Sequence, residues 1–189
     1  NYSFNEEIIR KLYESSDKEL TYKEYKNSIY LKVARNYLRY RWIIVYLLGA
    51  APVIHESFLN GCSCKLKQIS EDGYTLDGAV SHRNGECGYR NKEELYPNYD
   101  TVEDYVESIN KYVNDGVIDS HKELYSQVRL KAKEPKNFLN SLLEDGISYL
   151  EYRSIDINPF EKGGISLNDL YFLQLLNIYM LIKEESSYD

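Results

Sequence analysis

The sequence predicts an α+β fold, mostly helical with a partial antiparallel sheet. Three observations carry this. Residues 21–48 repeat apolar side chains at spacings of three and four, the helical period. Residues 52–100 lose that period and are punctuated by glycines 61, 73, 78, 85 and 88. Residues 147–155 alternate as a strand does. A chain of 189 residues with a hydrophobic fraction of 43% can bury a core and reads as a single domain.

Taken in order, residues 5–16 read as a short amphipathic helix. The long helix over 21–48 carries Ile29, Val33, Tyr37, Tyr40, Ile44 and Leu47 as its apolar stripe, and Gly49 and Pro52 stop it. Residues 65–69 and 74–76 flank Glu71-Asp-Gly73 and read as a small hairpin. Residues 81–99 read as an irregular loop of the kind that carries function. Thr101-Val-Glu-Asp104 resembles a capping box and opens a helix to about Asn114. Residues 117–131 read as extended. Pro135 and Gly146 bracket a short helix. Residues 147–155 form a strand, and Ser166-Leu-Asn-Asp169 caps a last helix to about Lys183.

Composition excludes some classes. A net charge of -7 argues against general nucleic-acid binding, although an acidic enzyme can still build a basic site for anions. The longest apolar run, Trp42 to Ile54, is broken by Gly49 and Pro52. It is too short to span a bilayer and reads as a buried helix end, so no membrane partner is expected. Cys62, Cys64 and Cys87 cannot all pair, and C-x-C is not zinc-knuckle or thioredoxin spacing. They read as reduced cysteines of a cytoplasmic protein. The first residue is Asn1 rather than Met, and the chain reads as a piece of something longer.

Candidate chemistry gathers in four stretches. In the strand over 147–155, alternation puts Glu151 and Arg153 on one face with Ile147, Tyr149 and Ile155. A carboxylate beside a guanidinium suits a site for Mg²⁺ and phosphate, and equally a structural ion pair at a sheet edge. Ser81-His-Arg-Asn-Gly-Glu-Cys-Gly-Tyr89 sets the Arg83 fork, glycine hinges and Tyr89 on one loop, as a ligand site or a surface turn would. Tyr125, Arg129 and Lys131 would share one face of an extended segment, a basic strip for phosphates or an ordinary solvated face. Arg35, Arg39 and Arg41 interleave with aromatics, yet fit the charged edge of a core helix. His55, His82 and His121 show no metal-ligand spacing, and no phosphate loop, dinucleotide fingerprint or nucleophile elbow is present.

Several segments, in order, resemble the bacterial glutamate–cysteine ligase (γ-glutamylcysteine synthetase) family. Ala34-Arg-Asn-Tyr-Leu-Arg-Tyr-Arg-Trp-Ile-Ile-Val-Tyr-Leu-Leu-Gly-Ala-Ala-Pro52 resembles that family's R-N-Y-x-R-x-x-W…Y-L-x-G-A-x-P helix. Gly88-Tyr-Arg-Asn-Lys92 resembles G-Y-x-N-K, and Glu123-Leu-Tyr125 resembles E-L-Y. Gly146-Ile-Ser-Tyr-Leu-Glu-Tyr-Arg-Ser-Ile-Asp-Ile-Asn-Pro-Phe160 resembles the longest and most specific signature, G-[IV]-x-Y-[ILV]-E-x-R-S-[IL]-D-[IL]-N-P-F. Residues 60–80 match poorly.

The resemblance implies a glutamine synthetase-like catalytic domain, of which residues 1–189 would be the central and C-terminal part. It implies ATP-dependent joining of the L-glutamate γ-carboxyl to the L-cysteine amine through a γ-glutamyl phosphate, the first step of glutathione synthesis. Glu151 would be a Mg²⁺ ligand and Arg153 a contact to the transferring phosphoryl group. Arg83 would hold a substrate carboxylate, Tyr89 and Tyr125 would line the cysteine pocket, Asn1 would contact glutamate, and Arg129 and Lys131 would face ATP phosphates. The family's remaining acidic ligands and a histidine would precede Asn1, so the chain alone is expected to be inactive. An incomplete sheet leaves edges through which copies can associate. A fused glutathione synthetase domain is an open expectation. So are two alternatives: a related ligase using another amine, and a non-catalytic interaction module derived from a ligase.

Overall fold

The structure, a computed structural model, describes residues 1–59, 65–76, 80–85, 88, 91 and 93–185. In chain order its elements are α1 (Glu6–Glu14), α2 (Tyr22–Leu48), β1 (Ile54–His55), β2 (Leu66–Gln68), β3 (Gly73–Leu76), α3 (Val102–Asn114), β4 (Val128–Lys131), α4 (Phe138–Asp145), β5 (Tyr149–Tyr152) and α5 (Leu167–Ile182). Short 3₁₀ turns occupy Glu56–Phe58, His121–Glu123 and Pro135–Asn137. The α+β expectation holds, with small antiparallel sheets among helices. The chain clusters into two compact units, one of residues 1–39, 95–153 and 177 onward, the other of 40–94 and 154–176.

The first unit is built on β4 and β5. They pair antiparallel with Val128 opposite Tyr152, Arg129 opposite Glu151, Leu130 opposite Leu150 and Lys131 opposite Tyr149. Val128, Leu130 and Leu150 are fully buried. Each contributes roughly 1.5–3 kcal/mol by leaving water. Tyr37 of α2 stacks on Tyr152 with ring centroids 4.0 Å apart. The Tyr30 hydroxyl donates to the Ser148 carbonyl at 3.0 Å. Beyond β5, Tyr2 exchanges both backbone hydrogen bonds with Leu150, at 2.7 and 2.8 Å. The apolar face of the sheet is thereby fixed, and alternation turns Arg129, Lys131, Tyr149 and Glu151 to the other face.

Local signals set the helix ends. The Asn5 side chain accepts from the Ile8 amide, and the Thr101 hydroxyl accepts from the Asp104 amide. Ser166 and Asp169 cap α5 reciprocally, each backbone amide donating to the other's side chain at 3.1 Å. Within α2 the buried stripe is Tyr30, Leu31, Val33, Ala34, Tyr37 and Ile44. It is therefore rotated from the expected one, since Leu47 is exposed and Ile29 and Tyr40 are half-buried. The end of α2 is not the buried helix end expected from its apolar run: Trp42 is 61% and Tyr46 72% exposed. Among the described residues no helix is long and apolar enough to cross a membrane.

In the second unit β1, β3 and β2 form a three-stranded antiparallel sheet in that order. The expected hairpin is β2–β3, in register Leu66 with Leu76, Lys67 with Thr75 and Gln68 with Tyr74.

Two extended expectations are corrected. Only Val128–Lys131 of residues 117–131 is strand, because the chain turns through a 3₁₀ segment at His121–Glu123. Only Tyr149–Tyr152 of residues 147–155 is strand. Ile147 is fully buried before it, its amide donating to Asn27 Oδ1 at 2.9 Å. A backbone amide that bonds a side chain leaves the strand ladder at that point.

Candidate active site

The polar face of β4–β5 brings one carboxylate among cations. Lys131 Nζ stands 3.2 Å from Glu151 Oε2, with the two side chains 27% and 32% exposed. That oxygen is shut off from solvent and accepts no directed hydrogen bond. The ammonium lies within reach but off the hydrogen-bonding direction, so the contact is an ion pair. Arg129 sits directly opposite Glu151 in the register, yet its Nη2 donates to the carbonyls of His121 and Lys122 at 2.9 and 3.1 Å. Burial pulls the Arg129 pKa below its usual value; Tyr105 opposes that shift and nearby Arg153 adds to it. Tyr105 of α3 lies within the field of Arg129 and Glu151, and burial pushes its hydroxyl up to about 12.

Arg153 follows β5, and its amide donates to the Gln127 carbonyl at 2.9 Å. Its guanidinium carbon lies 5.3 Å from the centroid of the Tyr125 ring, within cation–π range. Tyr125 lies outside β4, so it does not share a strand face with Arg129 as the sequence suggested. It meets Arg153 instead.

A cleft of about 180 Å³ opens beside this face, lined by His121, Lys122, Arg129, Lys131, Phe138 and Tyr149 among others. The His121 ring packs against Phe138 with centroids 4.9 Å apart. Burial lowers the His121 pKa, and Lys122 and Arg129 lower it further. Cations and aromatic rings together line this cleft, a lining suited to an anion that carries a flat group. No described residues form a group of three or more His, Cys, Asp or Glu able to hold a metal ion. A single carboxylate such as that of Glu151 suits Mg²⁺ only where other oxygens, for example phosphates, complete the shell.

Arg83 belongs to the second unit. Tyr89 lies outside the described residues. Arg83 follows His82, whose amide donates to the Ala51 carbonyl at 2.9 Å. The loop is pinned by Asp156, which accepts from Ser81 Oγ and the Ala50 amide, both at 3.0 Å. Asn84 Nδ2 adds bonds to Ser81 Oγ at 2.8 Å and the Ser154 carbonyl at 2.9 Å. At Gly88 a Cβ would sit 2.1 Å from the Arg83 carbonyl oxygen and 2.4 Å from that of His82, so only glycine fits. A cleft of about 490 Å³ is lined here by Val53, Ile54, His55, Phe58, His82 and Arg83 among others.

Sequence reasoning singled out neither Asp156 nor Asn84. Both are one polar residue in a long pattern, and only their partners reveal the role. Asn1 is exposed, one residue before the Tyr2 pairing to β5.

The sequence profile described as "Glutamate-cysteine ligase" matches residues 1–189. The glutathione biosynthesis bifunctional protein GshAB of Clostridium perfringens is 41% identical over 184 residues, covering 97% of this chain and 24% of that protein. Its namesake from Listeria monocytogenes serotype 4b is 40% identical over 187 residues, covering 98% and 24%. The crystal structure of a bifunctional glutathione synthetase from Pasteurella multocida superposes with a TM-score of 0.77 at 33% identity, over 97% of this chain and 22% of that one. A glutamate–cysteine ligase from Francisella tularensis, solved with AMP, gives a TM-score of 0.76 over 98% of this chain and 41% of that one. At 24% identity that second likeness speaks for the fold alone. The chain spans about a quarter of the length of the curated relatives it matches.

Proposed function

The chain belongs to the glutamate–cysteine ligase family, and on that premise we propose that it supplies part of a site joining the γ-carboxyl of L-glutamate to the amine of L-cysteine. The observation that carries the reading is the polar face of β4–β5, where Glu151 lies opposite Arg129 and 3.2 Å from Lys131, two residues before Arg153. The glutamate γ-carboxylate attacks the terminal phosphorus of ATP and ADP leaves. The cysteine amine then attacks the acyl carbon of the γ-glutamyl phosphate, loses a proton and expels phosphate.

Arg153, which lies against Tyr125, stabilises negative charge on the phosphoryl group in transit. Lys131 and Arg129 line the cleft that takes the ATP phosphates. Arg129 keeps its orientation through the two carbonyls it bonds. Glu151 would give Mg²⁺ one carboxylate, with nucleotide phosphates as further oxygen donors. When bound, the ion neutralises phosphate charge. Arg83 receives a substrate carboxylate through its planar fork. Tyr125 walls the cysteine pocket, and Asn1 contacts glutamate. The same reading puts the protein in the cytoplasm.

The test is phosphate release by the full-length protein with ATP, glutamate and either cysteine or other small amines. Cysteine-dependent release with γ-glutamylcysteine as product is the expected result. Release that is no faster with cysteine than with other amines overturns the cysteine assignment and leaves a related carboxylate–amine ligase. No release with any amine favours an interaction module.

A further inference from the structure

The contact between Lys131 and Glu151 is more than a static pair. Glu151 Oε2 is closed to solvent and takes no directed hydrogen bond, and Lys131, 3.2 Å away, is its ion-pair partner. Arg129 sits directly opposite but has turned Nη2 to two backbone carbonyls. Lys131 also lines the basic cleft beside the sheet, so one side chain serves both the carboxylate and the cleft proposed to take phosphates. Its contact is unoriented and about a quarter of its side chain is exposed, which leaves it able to exchange partners by side-chain rotation.

We propose that Lys131 is a counter-ion exchange device. It holds Glu151 while nucleotide is absent. It passes to the nucleotide phosphates when they enter, and so frees Glu151 for the divalent ion that comes with them. A cation on the ligand oxygen opposes any metal arriving alone, which couples metal binding to nucleotide binding. The inference rests on the reading of Glu151 as a metal ligand and makes Lys131 a positioning residue.

The experiment uses the full-length protein as wild type, Lys131→Met and Lys131→Arg. Binding of Mn²⁺ alone is followed by loss of the free-ion paramagnetic resonance signal, and binding of ADP without metal by calorimetry. Lys131→Met is expected to bind Mn²⁺ about fivefold more tightly than wild type, the scale of a partly exposed ion pair. It should also bind ADP roughly tenfold more weakly, as loss of one charge-assisted phosphate contact predicts. Lys131→Arg, which keeps the charge, should stay near wild type in Mn²⁺ affinity and shows that the site is folded. Equal or weaker Mn²⁺ binding by Lys131→Met overturns the exchange. Unchanged ADP affinity overturns its second half. Wild-type protein that binds Mn²⁺ as expected but releases no phosphate with glutamate and cysteine would instead refute the proposed function.

Discussion

Gly146 joins α4 to β5 with φ +80 and ψ -169, a backbone region that is essentially restricted to glycine. A Cβ there would lie 2.6 Å from Asn27 Oδ1 and 3.1 Å from Lys23 Cγ. Asn27 Oδ1 is the buried acceptor for the Ile147 amide, and Lys23 Nζ donates to the Leu143 carbonyl at 2.9 Å. Gly146→Ala therefore does two things at once. It holds alanine in a strained conformation, at about 1–3 kcal/mol. It also displaces Asn27 and strands a buried amide, at about 1–3 kcal/mol more. The sum, roughly 2–6 kcal/mol, speeds local opening about 30-fold to about 10⁴-fold at 1.36 kcal/mol per decade. Hydrogen exchange read by mass spectrometry on peptides over residues 141–152 of the full-length protein measures it directly. A peptide over the β2–β3 hairpin is the control and should not change. Exchange over 147–150 within about threefold of wild type would refute the argument, since both costs would then have been relieved by shifts the packing does not allow.

Arg153→Lys keeps the charge but loses the planar fork and the stacking on Tyr125, and turnover by the full-length protein should fall roughly 10²- to 10³-fold. An unchanged turnover number removes Arg153 from phosphoryl transfer. Gly88→Ala drives a methyl onto the Arg83 and His82 carbonyls, and should raise KM for glutamate more than it lowers kcat. Equal KM values would separate Arg83 from the substrate carboxylate. His121 has a pKa below its ordinary 6.5, through burial and then through Lys122 and Arg129. Phosphate charge in the cleft offsets those cations and raises it, so ADP binding below pH ~6.5 should take up protons. Calorimetry in buffers of different ionisation enthalpy shows this, and proton release would refute it. Folding linkage has the opposite face: the unfolded chain binds the His121 proton more readily, so stability should drop as pH falls below ~6.5.

Much of the local architecture was legible in residue pattern. Thr101 and Ser166 announced their helix starts because a cap needs only the residue and the amide three places on. Pro135 and Gly146 bracketed the short helix for the same local reason. Reading failed where packing outranked pattern. The stripe of α2 rotated toward Tyr30 and Ala34, and its apolar end stayed exposed, since no described residue covers that face. Residues 117–127 lacked the partner strand that extended backbone requires.

The candidate site divides in the same way. The sequence by itself determined that Glu151 occupies an alternating run, that Arg153 follows two residues later, and that the long signature around them is that of the ligase family. These are properties of neighbours along one chain segment. Only tertiary structure decided that Lys131 compensates Glu151, that Arg129 turns to the His121 and Lys122 carbonyls, and that Arg153 meets Tyr125. Those pairings depend on the register that buries Leu130 opposite Leu150. Register belongs to two strands together, and a slip of one residue would turn every one of these charges to the other face.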